Sequence, residues 1–275
     1  MGRHVNSYVT YLLLLVFFVG FFFPFYWMAV TSIRPDREIY ALFPSWIPKD
    51  VTFEHFKTIW FEYGFSIYFK NSLINAFFTM GFATSISIFG AYAIARLRFR
   101  GKTTFDRLIL FVYLVPVILV IVPFFLTLSK LGLNNTRFGL IIGCTCYCLP
   151  FSLWLLKGFL REIPEAIEEA AMVDGATRMQ AFFRVTLPLS TPGVIATSVF
   201  SFILAWNDYL FALVIIDREE LKTLPLAIAS FAAGHDVSDG ILMAAGVITV
   251  APAAVLYLLI QRYFVSGLSA GAVKG

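Results

Sequence analysis

The chain of 275 residues is 59% hydrophobic and 17% aromatic, with only 14% charged residues and a mean hydropathy of +0.81. This composition excludes an ordinary soluble domain and indicates a protein that lies in a lipid bilayer. The formal net charge of +4 is spread between apolar runs instead of forming one basic block, which excludes nucleic acid as a partner.

Six apolar runs are long enough to cross about 30 Å of hydrocarbon as helices. They cover residues 11–33, 69–97, 105–128, 138–156, 192–216 and 241–264. The first run lacks a small-x-small cleavage site, so we expect a retained span instead of a signal peptide, kinked or loosened at Pro24. The runs predict an all-α integral membrane protein with six transmembrane helices, folded as one membrane domain over residues 1–275.

The orientation follows from basic residues beside the spans, which tend to stay cytoplasmic. The densest cluster follows the second run and consists of Arg96, Arg98, Arg100, Lys102 and Arg107. This loop, both termini and the 157–190 segment are therefore predicted to be cytoplasmic. Residues 34–68, 129–137 and 217–240 are predicted to lie outside.

The segment between the fourth and fifth runs has the signals of two short helices. Pro164 suits a first helical position, and Gly175 is placed to end a helix in a left-handed conformation. Thr177 and Gln180 match a capping box, and Pro188 is expected to stop the second helix at about Leu187. The apolar stripe on the first helix, formed by Ile163, Ile167, Ala170 and Ala171, fits a protein-docking face or, equally well, a helix resting on the membrane surface.

The same segment carries a spaced motif. Glu169-Ala170-Ala171 is followed after three residues by Gly175, after nine more by Val185, and then by Leu187-Pro188. This pattern resembles the EAA signature of the membrane-spanning subunits of binding-protein-dependent ABC importers, with Val185 where that family usually has isoleucine. The stretches "AYAIARLRFRGK", "AWNDYLFAL" and "RYFVSGLSAGAVKG" resemble the G-type half of the maltose and related sugar permeases.

The resemblance implies a type I ABC importer permease fold in a prokaryotic cytoplasmic (inner) membrane, with residues 164–188 forming a cytoplasmic coupling helix and EAA loop. The implied partners are a second permease subunit, an ATPase dimer in the cytoplasm and an extracytoplasmic sugar-binding protein. The second permease is expected to be an F-type half, giving a heterodimer, although a homodimer remains open. No cofactor is expected on this chain, because ATP and Mg²⁺ would be bound by the partner ATPase. The implied ATPase-coupling residues are Glu168, Glu169, Ala170, Ala171, Asp174, Gly175, Ala176, Leu187 and Pro188.

Polar side chains inside the apolar runs are candidates for a translocation pathway. They are Trp206, Asn207, Asp208 and Tyr209 in the fifth run, with Asn71 and Asn75 in the second. Ionisable and amide groups are expensive in a bilayer, so they are expected to line a polar path, to join helices by hydrogen bonds, or to lie close to the outer interface. All three interpretations remain open for these residues.

Other motifs fail in context. "GLSAG" at 267–271 has too little chain after it for a hydrolase triad, and "GKT" at 101–103 lacks the glycine of a P-loop. Cys144, Cys146 and Cys148 are interpreted as apolar core residues of a span, and neither a metal site nor a catalytic site is predicted. An ion-coupled secondary transporter is a rival class, but it predicts inverted repeats, or discontinuous helices with several buried charges, and the sequence indicates neither. An ABC permease for another small solute is the closer alternative.

Overall fold

The computed structural model describes residues 2–43, 45–234 and 237–272, with side chains for residues 8–258 outside the two gaps. Every regular element in these ranges is helical, as predicted. The helices in chain order are α1 (Gly2–Ser32), α2 (Asp36–Ile39), α3 (Glu54–Lys57), α4 (Phe65–Arg96), α5 (Lys102–Leu114), α6 (Val117–Lys130), α7 (Arg137–Glu162), α8 (Glu165–Val173), α9 (Arg178–Ala181), α10 (Leu187–Leu189), α11 (Thr191–Trp206), α12 (Leu210–Ile215), α13 (Leu224–Ala233) and α14 (Asp239–Ala272). Two π-helical turns, Thr58–Glu62 and Phe182–Thr186, and a 3₁₀ turn, Glu219–Leu221, complete the set.

Four helices in the described ranges are long and apolar enough to cross a membrane. These spans are Tyr8–Ser32, Phe65–Arg96, Arg137–Glu162 and Asp239–Leu258. Two further helix pairs pass the same test but are bent, one by 99° between α5 and α6 and the other by 73° where α11 begins. The count reaches the predicted six when each bent pair counts as one, but the second pair begins with Arg178–Leu189, which belongs to the segment predicted to be cytoplasmic. The kink expected at Pro24 does not end α1, which continues through it.

The expectation of unbroken helices is wrong at two places. In the third run, α5 ends at Leu114 and α6 begins at Val117. Pro116 disfavours the helical conformation in the residue before it, and Val115 accordingly adopts the extended values φ −69° and ψ 123°. Pro116 was therefore a sequence signal for this break.

The second break separates α11 from α12 in the fifth run. The Asp208 carboxylate accepts hydrogen bonds from the backbone N–H groups of Phe211 (3.3 Å) and Ala212 (3.0 Å). The Asn207 amide donates to the Ile203 carbonyl, 2.9 Å away, at the end of α11. Short polar side chains that satisfy helix termini in this way compete with a continuous helix.

The described chain divides into two compact units, Met1–Ser66 with Ala227–Ala251 and Ile67–Leu226 with Pro252–Gly275. In the first unit, the Tyr26 hydroxyl donates to the Trp46 carbonyl at 2.8 Å, and the Arg34 guanidinium lies 5.3 Å from the centre of the Trp27 ring. These contacts hold the segment after α1 against the end of that helix.

The second unit contains α5 to α12 and nearly all of α4. Its α7 and α11 pack at close range, because a Cβ atom on Gly193 would lie 2.6 Å from the Cβ atom of Phe159. A buried cluster joins α4, α7 and the π-turn after α9, and it consists of Ala91, Tyr92, Ala95, Leu156, Leu160 and Phe182. The segment that carries the EAA-like motif is thereby packed against the membrane helices.

Candidate functional site

The segment 164–188, called loop 164–188 below, folds as a helix, a glycine turn and a second helix. The capping box is confirmed, because Thr177 Oγ1 accepts from the Gln180 N–H (3.3 Å) and Gln180 Oε1 accepts from the Thr177 N–H (2.8 Å). Gly175 has a φ of +95°. Its N–H bonds to the Met172 carbonyl (3.1 Å), and the Ala176 N–H bonds to the Ala171 carbonyl (3.0 Å), which is a Schellman helix end.

The end of the second helix differs from the prediction. Helical structure does not stop at about Leu187 but passes through a π-turn into α10, which ends at Leu189. Pro188 is the second residue of α10 and, together with Leu187, directly follows the π-turn. The proline therefore tolerates the continuation that it was expected to prevent.

The predicted coupling residues differ in exposure. Glu169, Ala170, Asp174, Gly175 and Pro188 are exposed, whereas Ala171, Ala176 and Leu187 are half-buried. Glu168 is buried, although it was grouped with these residues. The apolar stripe divides in the same way, because Ile167 and Ala170 are exposed while Ile163 and Ala171 are half-buried.

Glu168 lies in a buried polar network that connects loop 164–188 to α4. Its carboxylate accepts hydrogen bonds from the hydroxyl groups of Tyr92 and Thr186, the latter at 2.9 Å. Arg96 Nε lies 3.4 Å from Glu168 Oε2, and the two side chains are only 5% and 4% exposed. Arg96 Nη2 also donates to the Ile163 carbonyl at 2.6 Å, just past the end of α7. Arg96, the last residue of α4, therefore contacts both the end of α7 and the loop that follows α7.

The two asparagines of α4 join helices, which is one of the three interpretations left open by the sequence. Asn71 Nδ2 donates to the carbonyls of Glu220 and Lys222, both at 2.9 Å, and Asn71 Oδ1 accepts from Arg137 at 3.1 Å. Asn75 Nδ2 donates to the Ala205 carbonyl at 3.3 Å. That carbonyl lies beside the second helix break, so Asn75 helps to satisfy the interrupted backbone.

The four candidate pathway residues in the fifth run differ in their burial. Trp206 is fully buried, with its ring centre 5.7 Å from that of Phe69 and 5.8 Å from that of Phe202. Asn207 and Tyr209 are exposed, and Asp208 is half-buried at the start of α12. Trp206 is therefore a core residue of this chain, whereas Asn207 and Tyr209 face outward from it.

Sequence reasoning missed several residues of these networks. Tyr92 and Thr186 carried no signal of their own, and Arg96 was used only to orient the chain. Arg137 and Glu219 were likewise overlooked. Partial burial raises the pKa of Glu219, but hydrogen bonds from Lys222 and Tyr68 outweigh it and hold that pKa below its usual value. The Lys222 and Tyr68 donor atoms lie 2.6 Å and 2.7 Å from the carboxylate.

The interpretation of the α7 cysteines as core residues is confirmed for Cys144 and Cys148 and is wrong for Cys146. Cys144 and Cys148, one turn apart, are buried, whereas Cys146 is exposed, and all three are free thiols. Among the residues that the structure describes, His, Cys, Asp and Glu do not form a group of three that could hold a metal ion. His235 and the side chains of the terminal "RYFVSGLSAGAVKG" motif lie outside the described residues.

A helical protein with several membrane spans, broken spans and an EAA-type loop defines the class of a transport permease. Residues 83–270 match the family described as the binding-protein-dependent transport system inner membrane component. The chain belongs to this family.

Similar proteins cover nearly the whole chain. The inner membrane ABC transporter permease protein YcjP of Escherichia coli K12 is 38% identical over 95% of this chain and 94% of its own. The diacetylchitobiose uptake system permease protein DasC of Streptomyces coelicolor is 39% identical, with 94% of each chain covered. The trehalose/maltose transport system permease protein MalG of Thermococcus litoralis is 36% identical over 92% of this chain and 91% of its own.

The fold has a close match among solved structures. A chain of a bacterial ABC transporter involved in the import of the acidic polysaccharide alginate superimposes with a TM-score of 0.86 at 24% sequence identity. The match covers 96% of this chain and 98% of that one. The type I importer permease fold expected from the resemblance is confirmed.

Proposed function

We propose that this chain is the membrane-spanning permease subunit of a binding-protein-dependent ABC importer that moves a mono- or oligosaccharide into the cell. The observation that carries the proposal is the similarity, over more than nine tenths of each chain, to permeases named for diacetylchitobiose and for trehalose or maltose. A trehalose transport system permease of Mycobacterium tuberculosis, 35% identical over 92% of this chain, supports the same substrate class.

The proposed complex contains a second permease subunit, an ATPase dimer on the cytoplasmic side and an extracytoplasmic sugar-binding protein. The family description names a binding protein as part of the transport system. This chain itself is proposed to be no enzyme, with ATP and Mg²⁺ bound by the partner ATPase. Loop 164–188 and both termini are proposed to lie in the cytoplasm, as the basic residues after α4 indicate.

Loop 164–188 is proposed to dock on the ATPase. Its surface combines the exposed carboxylates Glu169 and Asp174 with large exposed apolar side chains, of which Val173 (86% exposed) and Met179 (57%) are examples. Exposed apolar side chains flanked by charges are typical of protein interaction surfaces. The Schellman turn at Gly175 fixes the direction in which the chain leaves α8.

Asn207 and Tyr209 are the proposed pathway residues of this half. They are exposed in the isolated chain and lie at the break between α11 and α12. Non-helical backbone at membrane depth is tolerated where it is buried in protein or lines a water-filled cavity, so this break fits a path shared with the second permease. Trp206, by contrast, supports the break from within the core.

The test is sugar uptake and ATP hydrolysis in one set of strains. The gene is deleted in its host and replaced by tagged wild type, Gly175→Pro, Glu169→Lys or the control Gly158→Ala, whose added methyl group would meet nothing within 4 Å. Uptake of labelled trehalose, maltose and diacetylchitobiose is measured, together with the proteins that copurify and their ATPase activity.

We expect an ATPase subunit to copurify with wild type and Gly158→Ala, and one of the sugars to be taken up. Gly175→Pro and Glu169→Lys should lose sugar-stimulated ATP hydrolysis or the ATPase subunit. Retention of full uptake by both variants, without any copurifying ATPase, would overturn the proposal and favour an ion-coupled carrier. If the strains take up phosphate or a polyamine but no sugar, the proposal of an ABC permease would stand and the proposal of a sugar substrate would be refuted.

A further inference from the structure

We infer that Arg96 and Glu168 form a buried lock that fixes loop 164–188 to the end of α4, and that the lock keeps ATP hydrolysis coupled to transport. The inference rests on the proposed function. It assigns a positioning role to residues that do not themselves reach the surface on which the ATPase would dock.

Burial distinguishes Glu168 from the glutamates around it. Glu169 is exposed and the Glu165 side chain is 62% exposed, whereas the Glu168 side chain is 4% exposed. A carboxylate with so little access to water needs partners, because an unpaired buried charge is strongly unfavourable. Its partners come from two directions, with Tyr92 and Arg96 on α4 and Thr186 in the π-turn.

The geometry connects three elements at one point. Arg96 is the last residue of α4, and it reaches the carbonyl of Ile163 after α7 as well as the Glu168 carboxylate on α8. Thr186 brings the second half of the loop to the same carboxylate. The two helices of loop 164–188 therefore share a buried anchor on α4, and a movement of the loop that keeps the anchor intact has to move the end of α4 with it.

A buried ion pair is weak evidence for stability, since apolar replacements of such pairs are often neutral or stabilising. Two hydroxyl groups, however, donate to the two oxygens of this carboxylate and define its position narrowly, while Arg96 contributes an ion pair in which its Nε makes no hydrogen bond. Geometric definition is what a mechanical link requires, because coupling needs an element with discrete positions that both ends can bias. The function assigned to the lock is therefore transmission of movement, and not assembly of the complex.

The variant Glu168→Gln tests the role of the charge. Glutamine keeps the size and one of the two acceptor oxygens, so one hydroxyl group has to turn and accept from the new amide NH2. It removes the negative charge beside Arg96. Arg96 retains the Ile163 carbonyl and the more distant Glu165 carboxylate, at 3.7 Å, so the fold should survive. Glu162→Gln, at the exposed end of α7, is the matched control for the same chemical change.

The complex is purified through a tag on this chain and reconstituted in lipid vesicles with its binding protein and sugar. The bound ATPase subunit, basal and stimulated ATP hydrolysis, and sugar transported per ATP are measured for each variant. For Glu168→Gln we expect a normal content of ATPase subunit and a fall of about tenfold in the stimulated-to-basal ratio, the size of effect that loss of a hydrogen-bonded charge can produce. Sugar transported per ATP should fall with it, whereas Glu162→Gln should match wild type.

Tyr92→Phe provides a second test that removes only one hydroxyl group. It should lower the stimulated-to-basal ratio by about threefold, in line with one uncharged donor, and it decides the matter if Glu168→Gln does not reach the membrane. An unchanged ratio in an intact complex would overturn the lock. Loss of the ATPase subunit from the variants would also overturn it, since the pair would then be an assembly contact. A wild-type complex without any ATPase subunit would instead refute the proposed function.

Discussion

The turn at Gly175 allows a graded prediction on loop 164–188. Its φ of +95° is in the left-handed region, and a Cβ atom added there would meet nothing within 4 Å. An alanine would therefore suffer no collision, and its penalty would come from the backbone conformation alone. That conformation costs an L-residue roughly 1–2 kcal/mol, partly offset by the lower entropy of the unfolded alanine chain, about 0.4–1 kcal/mol.

The net effect predicted for Gly175→Ala is about 1 kcal/mol against the closed turn, which is a factor of about five in the opening equilibrium. Asparagine tolerates the left-handed conformation, so Gly175→Asn should destabilise the closed turn by only about 0.3 kcal/mol. Proline fixes φ near −65° and lacks the N–H that bonds to the Met172 carbonyl. Gly175→Pro should therefore open the turn, at about 3 kcal/mol or more.

Hydrogen exchange followed by mass spectrometry on peptides covering residues 170–178 measures this equilibrium directly. The Ala176 amide, bonded to the Ala171 carbonyl at 3.0 Å, should exchange about five times faster in Gly175→Ala. It should exchange nearly as in wild type in Gly175→Asn and without protection in Gly175→Pro. Equal exchange in wild type and the alanine variant would refute the reasoning, as would an asparagine variant as fast as the proline variant.

Three further outcomes are expected for the thermal unfolding of the purified chain in detergent. Gly193→Ala should destabilise it by about 1–3 kcal/mol through overpacking between α7 and α11, whereas Gly158→Ala should be neutral or slightly stabilising. Asn75→Leu should cost about 1 kcal/mol, because the Ala205 carbonyl at the second helix break loses its side-chain donor, although it keeps the Asp208 N–H at 3.4 Å. Wild type should be more stable than Glu219→Gln at neutral pH. Because the folded-state pKa of Glu219 is lowered, this advantage is full above the ordinary glutamate pKa of about 4.3 and is lost as the pH falls through the folded-state value.

The sequence contained enough information for the helical class, the number of apolar runs and the local structure of loop 164–188. Hydrophobic run length and capping chemistry are local properties, so Thr177, Gln180 and Gly175 could be interpreted without knowledge of the rest of the fold. The break at Pro116 was equally local and was overlooked. Within one long apolar run, a proline carries more information about continuity than the hydropathy around it.

The roles of individual polar residues could not be predicted in the same way. Three glutamates in the first half of the loop have the same local signature, and only the contacts with Arg96 and Tyr92 distinguish Glu168 from the others. Trp206 was a candidate for the translocation pathway because of its polar neighbours, yet its ring packs into the core. Such distinctions depend on contacts between residues that are far apart in sequence.

The anchors of α4 bring together the two regions to which a transport role was assigned. Asn75 contacts the break between α11 and α12, and Arg96 contacts loop 164–188. Both residues lie on one continuous helix, about 31 Å apart at 1.5 Å per residue. A helix this long bends only gently without a proline or an inserted group. Between Asn75 and Arg96, α4 contains no proline. A displacement of the loop that preserves the lock must therefore either shift Asn75 relative to the Ala205 carbonyl or carry the break along with it.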